Sequence, residues 1–168
     1  MLAPTAASQK TSPLKKIRVL GQFKMDRDIL GLRRLAVAAP STWQLEIIGR
    51  GWPLIDGWQV TNAFVEEGAF GRLIAESDAV LVPYRRFFQS GVAVRALEGG
   101  VPVVGPHDSS LSELLGPDCP WLVRDGDWFT AVMSATGTKR DDVFASARMI
   151  YERVIAQWSQ ALTMEGLC

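Results

Sequence analysis

A Ser-Gly pair at the start of a helical pattern, with two arginines just before it, is the best-placed group for chemistry in this chain. The segment runs from Asp78 to Pro106 and reads DAVLVPYRRFFQSGVAVRALEGGVPVVGP. Ser90-Gly91 opens the helical pattern, and Arg85-Arg86 lie in the turn before it. The first N–H groups of a helix lack intrahelical acceptors, and the helix dipole favours an anion there. The Ser90 hydroxyl adds a donor, Gly91 permits close backbone approach, and a guanidinium pairs with phosphate oxygens. Together they predict a seat for a phosphate or diphosphate. Arg27 and Lys24, in the loop after the first apolar run, are placed to approach the same anion. Each residue also has a plainer reading: Ser90 as a helix cap, the basic side chains as solvated loop charges.

The elements that would position these groups alternate between short apolar runs and helical patterns. Ile17–Leu20 and Leu45–Ile48 read as strands ending at Gly21 and Gly49, and Gly57–Val60 holds a short third strand. Ile29, Leu32, Leu35 and Ala36 fall at helical spacing, as do Phe70, Leu73 and Ile74. Ala79–Val82 and Val101–Val104 are buried strands flanking the Ser90 helix, which stops at Gly99-Gly100. A short helix around Leu111–Leu115, a strand at Trp121–Val123, a helix from Trp128 and a long amphipathic helix from Asp141 to about Leu162 complete the chain. The predicted fold is α/β: a Rossmann-like parallel sheet with helices on both faces. Ligands of such sheets lie beyond the carboxyl ends of the strands. The loops after Gly21, Gly49, Pro83 and Gly105 are therefore expected to meet at one cleft. Residues 1–14 read as a disordered tail or linker remnant, and 15–168 as one Rossmann-like domain that ends in the amphipathic helix. Trp43, Trp121 and Trp158 are expected in the core, whereas Trp52 and Trp58, beside a Gly/Pro turn, are expected to be partly exposed.

Composition narrows the classes. Of 168 residues, 18 are Lys or Arg and 18 are Asp or Glu, so no bulk charge draws the chain to nucleic acid. Two cysteines make no disulfide framework, which fits a reducing compartment. One histidine, His107, far in sequence from both, argues against a structural zinc site. The N-terminal segment has no signal-peptide core, and no apolar run spans a membrane. A cytoplasmic protein is expected. No G-x-G-x-x-G follows the first strand and no Gly-Lys-Ser/Thr is present, against a dinucleotide or P-loop enzyme.

From Ile17 to about Met133 the chain resembles the C-terminal, nucleotide-sugar-binding half of a GT-B glycosyltransferase of the retaining group called family four. Leu45-Glu46-Ile47-Ile48-Gly49-Arg50-Gly51 is similar to that family's second strand and Gly-x-Gly turn. Ser77–Pro83 resembles its "ad-x-x-x-x-P" strand, Gly100–Val104 its "G-x-P-V-V" strand, and Ser110–Glu113 its "L-P-E" segment. Tyr84, Arg85, Ser90, Gly91, Ala96, Leu97 and Gly100 fit a "PYR…SG…AL…G.PVV" variant of the superfamily. The chain departs where the family carries paired acids, here Phe87 and Arg95. It also carries Gln22 where the family has an Arg, while Arg27 falls near the family's Lys.

The resemblance implies a donor domain that takes a nucleoside-diphosphate sugar and passes the sugar to a hydroxyl acceptor, with retention, in polysaccharide or envelope glycan synthesis. Ser90, Gly91, Arg85, Arg86 and Arg27 would contact the diphosphate. Arg50, Phe64, Glu98 and Glu113 would serve the nucleoside: Arg50 at the edge of the base pocket, Phe64 where the family holds the base by backbone, and Glu98 in place of a Glu that holds ribose hydroxyls. No metal or other cofactor is required in this scheme. An acceptor-domain chain or a membrane-associated glycan assembly partner is implied, with the protein cytoplasmic or peripheral to the inner face of the membrane. The alternative is a non-catalytic nucleotide-binding or partner subunit derived from a glycosyltransferase.

Overall fold

The computed structural model describes residues 14–84 and 91–164, with Val154 and residues 157–164 as backbone only. Arg85, Arg86, Phe87 and Ser90, the N-terminal tail and the Trp158 side chain lie outside what is described. Six strands form one parallel sheet in the order β3-β2-β1-β4-β5-β6. They are β1 (Lys15–Leu20), β2 (Trp43–Ile48), β3 (Gln59–Thr61), β4 (Ala79–Leu81), β5 (Val103–Pro106) and β6 (Leu122–Val123). The helices are α1 (Ile29–Ala38), α2 (Glu67–Ala75), α3 (Gly91–Glu98), α4 (Ser110–Leu115), α5 (Trp128–Gly137) and α6 (Arg140–Met164).

Burial on both sheet faces explains why the central strands read as continuous apolar runs. Ile17, Val19, Ile47, Val80 and Val103 are fully buried. On one side α1 packs on α5; elsewhere α2 packs on α3, and α3 on α6. Asp28 caps α1 by accepting from Gly31 N–H, 3.0 Å, and its second oxygen accepts from the Trp128 indole of α5, 3.1 Å. One carboxylate thus starts one helix and ties it to another.

Arg18 interrupts the apolar run of β1. It points beneath α2, only 3% exposed, where Nε donates to Glu46 at 2.6 Å and Nη1 to the Leu73 carbonyl at 2.7 Å. A buried charge is tolerated when it is paired and hydrogen-bonded, as here.

Two expectations need correction. Trp52 and Trp58 are buried, at 4% and 7% exposure. Trp52 donates to the Gly21 carbonyl at 2.7 Å and packs edge-on against Phe23, and Trp58 donates to the Leu32 carbonyl at 2.9 Å. The Gly/Pro turn therefore folds its indoles inward, where each polar N–H has found an acceptor. The second correction concerns β5, which starts two residues later than expected. Val101 N–H is taken by the Ala96 carbonyl and Gly100 N–H by that of Leu97, so these residues finish α3 instead of beginning the strand. Gly100 adopts φ +69, the left-handed conformation common just past a helix end. Trp43 and Trp121 are in the core as expected.

Candidate functional site

The strand order places a topological switch point between β1 and β4. From β1 the chain steps outward to β2 and β3, then returns to β4 on the other side. The loops leaving β1 and β4 consequently part to opposite faces, opening a crevice at their carboxyl ends. Here the two loops are stitched together. Asp28 N–H donates to the Pro83 carbonyl at 2.8 Å, and Arg27 and Tyr84 form an isolated antiparallel bridge. The Arg27 guanidinium stacks over the Tyr84 ring, 3.7 Å from its centroid.

Arg27 is 8% exposed. Nη1 donates to Asp26 at 2.9 Å and Nη2 to the Gln22 carbonyl at 3.1 Å, while Nε has no acceptor among the described residues. A buried cation with a donor unmatched among the described residues therefore sits where the two loops meet. Gly91, the first residue of α3, follows the β4 loop, and a side chain added there would meet no atom of the described residues within 4 Å. Ser90, Arg85 and Arg86 belong to the part of that loop outside the described residues.

On the β2 side of the crevice, Gly49 passes so close to Gly21 that a Cβ on Gly49 would lie 1.9 Å from the Gly21 carbonyl oxygen. Beside this contact is a hollow of about 170 Å3 lined by Gln22, Gly49, Arg50, Phe64 and Phe70 among others. Arg50 and Phe64, on either side of β3 in sequence, meet there: the guanidinium carbon lies 5.2 Å from the ring centroid. Phe64 is 70% exposed, so it belongs to the surface and not to the core.

The other two residues expected to serve a nucleoside lie apart from this hollow. Glu98 is exposed in the last turn of α3, about 10 Å of helix rise from Gly91. Glu113 is exposed in the first turn of α4, after β5. Three strand spacings, about 14 Å, separate β5 from β2. Glu113 offers its backbone carbonyl to Arg153 of α6, 2.8 Å. Arg95, on the crevice-facing helix α3, pairs with Glu67 at 2.5 Å and lies over the Phe70 ring at 5.8 Å. His107 follows β5, with Nδ1 3.0 Å from an Asp108 oxygen, in a separate hollow shared with Asp28 and Trp128. Among the described residues no group of three or more His, Cys, Asp or Glu could hold a metal ion. None of the described helices is long and apolar enough to cross a membrane.

Sequence reasoning missed the stitching of the two loops through Tyr84 and the burial of Arg27. The signal was present only as an alternation of a basic residue and an aromatic in two loops, with nothing to pair them.

With this geometry in place, the comparison with solved structures decides the fold. The chain superposes on an E. coli trehalose-6-phosphate structure bound with UDP-2-fluoro glucose, with TM-score 0.66 and 12% identity over 91% of this chain and 44% of that one. The fold is that of one half of a GT-B glycosyltransferase. An α,α-trehalose-phosphate synthase (UDP-forming) from Burkholderia xenovorans, in complex with glucose-6-phosphate, gives TM-score 0.64 and 13% identity over 83% of this chain and 39% of that one. The catalytic domain of cholesterol-α-glucosyltransferase from Helicobacter pylori gives 0.62 and 10% identity, over 87% of this chain and 99% of that one. The chain spans less than half the length of the E. coli and Burkholderia xenovorans chains it matches. No family model and no curated protein matches the sequence.

Proposed function

We propose that this GT-B half is the donor-binding domain of a glycosyltransferase, which takes a nucleoside-diphosphate sugar and delivers the sugar to a hydroxyl acceptor. The observation that carries the reading is Arg27, a buried guanidinium at the switch point whose Nε has no acceptor among the described residues. Leaving a buried donor unsatisfied costs about 1–3 kcal/mol, and a phosphate oxygen would remove that cost. The open backbone at Gly91 offers a second contact to the same anion. Ser90, Arg85 and Arg86 complete the diphosphate site in this proposal. Cationic groups and a helix start then stabilise the departing nucleoside diphosphate without assigning a part to a metal. Arg50 and Phe64 serve the nucleoside. The UDP sugar held by the E. coli structure of like fold supports the donor class. A second domain, on the same polypeptide or another chain, supplies the acceptor, and glycan synthesis at the cytoplasmic side of a membrane is the setting that the sequence resemblance implies.

A second reading, a nucleotide-binding subunit without transfer, is favoured by one observation. Arg95 occupies a position where the resembled family has an acid, and it is tied to Glu67. Isothermal titration of the 168-residue chain with UDP, GDP and ADP tests the shared core of both readings. Saturable binding is expected, with Arg27→Met weakening it about tenfold or more and Arg27→Lys less. Circular dichroism establishes that the variants are folded. Absence of binding at millimolar nucleotide defeats the donor-site reading. Binding without sugar transfer, once an acceptor-bearing domain is joined, selects the second.

A further inference from the structure

The hollow beside Arg50 carries information about which nucleotide the crevice would hold, an inference that rests on the donor-site reading above. Gln22 connects the two places. Its backbone carbonyl accepts from Arg27 Nη2, and the same residue lines the hollow. A diphosphate at Arg27 and a planar group in the hollow would therefore be neighbours. The exposed Phe64 ring offers such a group an aromatic face, and base–aromatic stacking tolerates any base. Phe64 gives affinity and no choice among bases.

Choice must come from polar groups, and few of the hollow's side chains are polar. Among its described lining residues, only Arg50 and Gln22 have polar side chains, and none has a carboxylate. The Arg50 guanidinium makes no hydrogen bond or ion pair among the described residues; its contact is the stack over Phe64. A guanidinium has five donors and no acceptor. The Gln22 amide offers one donor end and one acceptor end, and can turn to suit either partner. Among the side chains Arg50 therefore sets the balance, and it favours acceptors.

We propose that Arg50 makes this hollow selective for bases with an oxo group at the edge facing it, the 4-oxo of uracil or the 6-oxo of guanine and hypoxanthine. The amino group that cytosine or adenine carries at the same edge would meet donors with donors. A site built to bond one group discriminates strongly against an analogue that leaves its polar atoms unpaired.

Matched pairs of equal size isolate the effect: UDP against CDP, and IDP against ADP, with inorganic pyrophosphate as the base-free probe. Titration into the 168-residue chain is expected to show the oxo member of each pair binding about tenfold or more tightly. Arg50→Ala should bring both ratios close to one while pyrophosphate binding persists. Phe64→Leu should weaken all four nucleotides together and leave the ratios intact. Arg50 is exposed, so its replacement leaves the core untouched, and circular dichroism checks this. Equal affinities within each wild-type pair, or ratios that survive Arg50→Ala, overturn the selectivity proposal and leave the donor-site reading standing. Failure of pyrophosphate and every nucleotide to bind overturns both.

Discussion

Asp127, at the start of α5, shows how a single side chain responds to its protonation state. It caps α5, accepting from the Thr130 N–H at 3.0 Å and the Thr130 hydroxyl at 2.7 Å. The backbone bond, then the hydroxyl bond, hold its carboxyl below the ordinary carboxylate range. Because the folded state prefers the ionised form, the stabilisation is present in full above the carboxylate range. It is lost as pH falls through the lowered folded value. Asp127→Asn keeps a cap acceptor and should flatten this acid dependence in urea denaturation. Asp127→Ala should cost about 1 kcal/mol at neutral pH. A wild-type acid limb identical to that of Asp127→Asn would refute the assignment. Single residues were also where the sequence was hardest to read. Trp52 looked like a surface indole beside a turn, since its acceptor, the Gly21 carbonyl, is remote in sequence. Arg27 and Arg50 were recognised as candidates, but their aromatic partners Tyr84 and Phe64 come from other loops. Pairings of that kind exist only after the sheet has brought the loops together.

At the level of elements, the strands and helices were largely legible, because a sheet buried on both faces writes itself as short apolar runs between helical patterns. The exception, the late start of β5, arose because Val101 is apolar enough for a strand yet spends its N–H on ending α3. Arg18 is the opposite case, a charge inside a strand that periodicity cannot explain. Its partner Glu46 is on the adjacent strand at the register position Arg18↔Glu46, 2.6 Å away, and Gln44 donates to the other Glu46 oxygen at 2.9 Å. Glu46→Ala leaves a buried guanidinium without its main counter-charge and should destabilise by about 3–5 kcal/mol. The double variant Arg18→Met with Glu46→Leu should recover much of that loss, since an apolar pair of similar volume carries no desolvation penalty. Guanidinium denaturation of Glu46→Ala, the double variant and its two single variants measures it. Additive losses would show that the two side chains act separately. The α2 helix depends on this pair, since Arg18 also bonds the Leu73 carbonyl of its last turn.

The whole molecule is held by one core that runs the width of the sheet. Buried indoles mark it from side to side: Trp58 just before β3, Trp43 on β2, Trp121 before β6 and Trp128 on α5. Tryptophan fluorescence and far-ultraviolet circular dichroism should therefore report the same single unfolding transition. Two separated midpoints would mean that the β3-β2-β1 and β4-β5-β6 halves melt independently. Those halves touch through the β1–β4 register, Ile17↔Ala79 to Val19↔Leu81. That pairing brings together segments far apart along the chain, and long-range parallel pairing has to meet its loop-closure entropy before it gains contacts. The crevice lies on that seam, so it comes into being only when the two halves join. A ligand that lodges there would act on the chain's kinetics as a brake on the seam's reopening, lengthening the lifetime of the joined state.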